Sequence, residues 1–112
     1  MTRWTLFDGP ADADRAVVWL EEADSGVALR THTWGAGPEC TLGFDTIESS
    51  VAIGGPALFT LACALVMDDP ELDATAPPLD VLAAAYRGNA AASAEVRRRL
   101  DALGLPYEFA MR

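Results

Sequence analysis

His32 is the single histidine of this chain, so any triad or metal cluster must be assembled around one imidazole. It lies between Thr31 and Thr33, and no nucleophile motif stands near it in sequence. A hydrogen-bonded structural histidine is therefore the stronger reading, with a small enzyme or ligand-binding module built on His32 and nearby carboxylates as the alternative. Cys40 follows Pro38-Glu39 and could meet His32 across a hairpin. A reactive thiol needs positive neighbours, which the local sequence does not supply, so a plain surface cysteine is expected. Ser49-Ser50 is not set in a nucleophile elbow. Gly35-Ala36-Gly37 is followed by Pro38, which removes an N–H donor that a phosphate loop would use. Gly54-Gly55-Pro56 does precede a helix, but nucleotide binding there is not expected of an acidic chain without lysine.

Asp68, Asp69, Glu71 and Asp73 form the densest group of oxygen ligands. A calcium loop of the EF-hand kind needs glycine at its sixth position and a bidentate glutamate at its twelfth, and neither fits. A solvated acidic loop is expected, with no metal and no cofactor. Carboxylate pairs are plentiful, yet a glycosidase also needs a cleft that a domain this small rarely supplies. Arg97-Arg98-Arg99 is the one basic run, and three successive helical residues fan around the axis instead of forming a stripe. Arg99 follows Glu95 by four residues and Arg97 precedes Asp101 by four, so ion pairs along the helix surface are expected.

Charge narrows the partners. Seventeen acidic residues against eight basic ones, all arginine, give a net charge of −9. Such a surface repels phosphate backbones and anionic lipid and favours a basic partner, whose approach it would steer. Neither nucleic acid nor membrane is expected. The longest apolar stretch, Ala57 to Met67, is about half of the ~20 residues that span a bilayer. No charged segment followed by an apolar run opens the chain, so a cytoplasmic protein is expected. Two cysteines are too few for a disulfide scaffold, and Cys63, inside an apolar run, reads as buried.

These side chains must be positioned by one domain, residues 1–112. Arg3 to Phe7 reads as a strand. Ala16 to Glu22 and Val27 to Trp34 alternate with period two around the turn Ala23-Asp24-Ser25-Gly26, the clearest hairpin in the chain. Trp19 reads as core, and Trp34 as either core or surface. A further extended stretch runs from Cys40 to Ile53. Gly54-Gly55-Pro56 then switches the period to that of a helix over Pro56 to Met67, where only Thr60 is polar, so this helix is expected to be the most buried. A short helix from Asp80 to Arg87, capped by Asp80, precedes one from Ala90 to Leu103 with Asn89 as N-cap. Gly104-Leu105-Pro106 matches a Schellman stop, and Tyr107 to Met111 alternates as a last strand. The whole predicts an α+β fold: a mainly antiparallel sheet of 4–6 strands, about three helices on one face, and a returning C-terminal strand.

Trp34-Gly35-Ala36-Gly37-Pro38-Glu39 and the closing Gly104-Leu105-Pro106-Tyr107-Glu108-Phe109 resemble a group of small acidic actinobacterial proteins that end in a helix, a G-[IL]-P-x-E-F turn and a strand. The resemblance runs from Ala16 to Met111. This chain departs from it at Asp45 to Ser50, where the group has an acidic, aromatic-rich strand. In size and charge the group is similar to immunity proteins that neutralise bacterial toxins. With a −9 charge, no catalytic constellation, no export signal and a compact size, a non-catalytic inhibitor of a basic toxin enzyme such as a nuclease is expected. The expected partner-binding residues are Glu21, Glu22 and Asp24 at the hairpin end, Trp34 and Glu39 at the other, Glu48, and the loop residues Asp68, Asp69, Glu71 and Asp73. A homodimer through the exposed last strand is a further alternative.

Overall fold

A computed structural model describes residues 3–9, 15–23, 26–34 and 46–111. Strands β1 (Arg3–Gly9), β2 (Arg15–Ala23), β3 (Gly26–Trp34) and β4 (Thr46–Gly54) come first in the chain. Helices α1 (Gly55–Asp68), α2 (Pro78–Tyr86) and α3 (Ala92–Leu103) follow, and strand β5 (Glu108–Met111) closes it. The five strands form one sheet in the order β1-β2-β3-β4-β5, every pair antiparallel. The expected α+β architecture with a returning final strand is what the chain adopts.

Register decides which side chains face the helices. Leu20 pairs with Leu29, and Leu29 with Val51, so one face carries Val18, Leu20, Val27, Leu29, Val51 and Ile53, all buried. Onto it pack Leu58, Leu61 and Leu65 of α1, Val81 and Leu82 of α2, and Val96 and Leu100 of α3. The hairpin strands run closer together than the expected four-residue turn, with Ala23 opposite Gly26. Gly26 also lies opposite Gly54, where a Cβ would stand 1.9 Å from the Ile53 carbonyl oxygen. Only glycine fits that approach of β3 to β4.

The helix ends differ in detail from expectation. Asp80 sits inside the first turn of α2, which begins at Pro78 behind Pro77. Asn89 accepts a bond from the Ala91 N–H at 2.8 Å, so it caps a leading turn and α3 proper starts at Ala92. The Schellman stop is present: Gly104 is left-handed at φ 69°, and the Leu105 N–H donates to the Leu100 carbonyl at 2.9 Å.

Two burial expectations fail. Trp19 is absent from the core; its parity places it on the sheet face opposite the helices, where it is half-buried. Cys63 is exposed. Helix α1 is apolar all round, but the sheet, α2 and α3 cover only part of its circumference. Phe59, Cys63 and Met67, spaced by four, therefore share an exposed stripe, with Met67 84% exposed.

Candidate functional site

Two surfaces gather the chemistry. The first is the sheet face opposite the helices. Successive cross-strand pairs set Thr5, Trp19, Arg30 and Ser50 in one row, and Asp8, Val17, His32 and Glu48 in the next. The Trp19 indole N–H donates to Glu21 Oε1 at 2.9 Å, and Arg30 Nε donates to Glu21 Oε2 at 2.9 Å. The Arg3 guanidinium lies over the Trp19 ring, 4.3 Å from its centroid. The indole hydrogen bond, supported by Arg30 and Arg3, holds the Glu21 carboxyl below its ordinary range. Glu21 is thus tied into the sheet surface by its own neighbours, and a concavity of about 280 Å³ opens between it, Trp19, Arg30 and Glu48.

His32 and Glu48 face each other across β3 and β4, with His32 Nδ1 3.5 Å from Glu48 Oε1. A carboxylate beside an imidazole is the arrangement that orients a general base, but this separation is longer than a direct hydrogen bond. The residue opposite His32 on β2 is Val17, which offers no nucleophile.

The second surface lies on the helical layer, some 20 Å of α1 away from the hairpin end of the sheet. Asp68 ends α1 and is ion-paired with Arg99 of α3. Asp69 Oδ1 accepts the Glu71 N–H at 3.0 Å, and Asp73 Oδ1 accepts both the Thr75 N–H at 2.8 Å and the Thr75 hydroxyl at 2.6 Å. Each aspartate organises a turn through its Oδ1, and both residues are exposed. The two bonds from Thr75 hold the Asp73 carboxyl below its ordinary value, so it stays ionised into mild acid. Among the described residues, Arg99 is the one cation ion-paired to this loop.

Beside the loop runs an apolar groove of about 280 Å³. Phe59, Cys63 and Met67 of α1 form one bank, and Ala76, Pro78 and Val81 the other. Sequence reading did not find it, because a helix apolar on every face reads as wholly buried. The usable signal was a count: one sheet and two other helices are too few to surround a fourteen-residue helix.

The expected partner-binding residues therefore divide between the surfaces. Glu21 and Glu48 share the open sheet face, and Glu22 is exposed near the end of β2 opposite Val27. Asp68 and Asp69 line a concavity with Tyr86, Glu95 and Arg99, while Glu71 and Asp73 are exposed further along the same connection. Trp34 ends β3 opposite Arg15 and Thr46, while its side chain, with Asp24, Glu39 and Cys40, lies outside the described residues. The charged side chains of α3 take other partners than the ion pairs expected along the helix. Arg99 reaches Asp68, Arg97 stacks over the Phe109 ring at 4.0 Å, Glu95 accepts from Asn89 at 2.9 Å, and Asp101 accepts from the Tyr107 hydroxyl at 2.9 Å.

Among the described residues no three His, Cys, Asp or Glu side chains converge as a metal site, and no helix is long and apolar enough to cross a membrane. No known protein family, curated protein or solved structure matches the chain.

Proposed function

We propose that this chain is a non-catalytic module that captures a basic protein in the cytoplasm, in the manner of an immunity protein holding a toxin enzyme such as a nuclease inactive. The observation that carries the reading is where the −9 charge collects. Asp69, Glu71, Asp73 and Asp80 are all exposed on one connection and the helix that follows it, and two of the carboxylates are pre-set by their own turns. Carboxylates so held lose little freedom when they meet lysine or arginine, which favours binding over solvation. A basic enzyme draws its anionic substrate with the same cations that such a surface would occupy, so capture and inhibition would be one event. Long-range attraction would accelerate the encounter and weaken as salt screens it beyond about 8–10 Å.

Affinity capture from the native host, with the co-purifying protein identified by mass and its association rate followed against salt, tests the reading. A stoichiometric basic protein whose association slows steeply with salt is expected. A partner that is acidic or neutral, or association indifferent to salt, would overturn it.

A further inference from the structure

We infer that the apolar groove between α1 and α2 is the seat of an amphipathic helical segment of a basic protein, with the acidic connection as its charged rim. The inference rests on the proposed capture of a basic partner and adds where the partner docks and in what conformation.

The groove has the dimensions of a helix seat. From Phe59 to Met67 its first bank extends about 12 Å along α1, a little over two turns. A docked helix would present anchors at i, i+3 or i+4, and i+7 over the same span. The floor is low, because Ala62 and Val81 are buried, and the walls are tall, because Phe59 is 60% and Met67 84% exposed. An open volume of about 280 Å³ is below the ~300–1,000 Å³ of pockets that enclose small molecules, but takes anchoring side chains from a longer ligand. Methionine adapts to such anchors at little cost in shape.

Charge selects the occupant. The connection that leaves α1 just past Met67 carries Asp69, Glu71 and Asp73, and Asp73 directly precedes Ala74 of the groove lining. The dipole of α1 adds negative potential at that same end. A segment with apolar anchors and flanking Lys or Arg satisfies both features at once. A second copy of this chain would bring the same acidic rim toward its own likeness, and like charges oppose that contact.

Two helix-favouring peptides decide the matter: one with leucine at i, i+3 and i+7 flanked by Lys and Arg, the other with the same anchors flanked by Glu. Each is titrated into the isotope-labelled full chain while backbone amide shifts are followed. The basic peptide is expected to shift residues 59–67 and 74–81 saturably, and the Glu-flanked one to bind about tenfold more weakly or less. Phe59→Ser with Met67→Ser alters only exposed side chains and is expected to weaken the basic peptide about tenfold. Asp69→Asn with Glu71→Gln is expected to flatten its salt dependence.

Absence of saturable shifts, equal binding of the two peptides, or shifts centred on Trp19 and Arg30 would each overturn the assignment. So would a concentration-dependent dimer dissolved by Met67→Ser, which would give the groove to a second copy. If a captured basic partner survives the Phe59/Met67 change but is lost with Asp69→Asn and Glu71→Gln, the groove assignment fails while the acidic capture stands.

Discussion

Trp19 and Glu21 stand two residues apart on β2, and the indole N–H of the first donates to a carboxylate oxygen of the second at 2.9 Å. Because alternate residues of a strand share a face, the contact needs no loop to bring it about. The second oxygen is taken by Arg30 from the adjacent strand, and Arg3 of β1 covers the indole ring. Three strands are therefore tied together on a face that carries no packed helix among the described residues.

This arrangement has a pH signature. The folded Glu21 carboxyl titrates below its ordinary value of 4.5. Its contribution to stability is therefore complete above the unfolded value and lost as the pH falls through the lowered folded value. Glu21→Gln is expected to reduce stability at pH 7 by about 0.5 kcal/mol, a small effect because Arg30 is nearly half exposed. The melting curves of the two proteins should converge in acid. A gap that persists after the carboxyl is protonated would show that charge is not the cause.

The two tyrosines should titrate late. Burial pushes the Tyr86 hydroxyl up, and the hydrogen bond to Asp101 pushes up that of Tyr107. Phenolate absorbance of the native chain should therefore rise above pH 10, later than in denaturant. For Tyr86 the sign is fixed by burial: its stabilisation is full below the unfolded value and is lost as the pH climbs through the raised one. Tyr107→Phe should leave one late titration, and a normal titration in that variant would contradict the burial of Tyr86.

Gly26→Ala should destabilise the chain by about 1–3 kcal/mol, since the added methyl meets backbone that cannot move aside without parting β3 from β4. Urea unfolding reads this directly. Gly54→Ala on the facing strand meets nothing within 4 Å and serves as its control.

Substitutions on the two sides of α1 should separate stability from binding. Leu61→Ala removes a wholly buried side chain and is expected to cost about 2–5 kcal/mol. Met67→Ser, on the exposed stripe, should stay within about 0.5 kcal/mol. Cys63 on that stripe should react with a thiol reagent in the native state of a Cys40→Ser variant. A thiol that reacts only after denaturation would contradict the exposed placement of the stripe.

Local chemistry alone determined much of this protein. Period-two alternation marked β2 and β3, Pro56 after Gly54-Gly55 marked the switch into α1, and Gly104-Leu105 marked the stop of α3, because each signal acts within a few residues. The concentration of carboxylates at Asp68 to Asp73 was equally plain in the sequence. Which flank of α1 is covered was decided only by the tertiary structure. Leu58, Leu61 and Leu65 and the stripe Phe59, Cys63 and Met67 are both apolar, and only the count and placement of neighbouring elements leave the second of them bare. Trp19 follows the same logic, since alternation groups residues by face but cannot say which face the helices take. The partners of Arg97 and Arg99 lie on β5 and α1, beyond the reach of any helical spacing rule. Packing, a non-local property, left one flank of an apolar helix open as a groove.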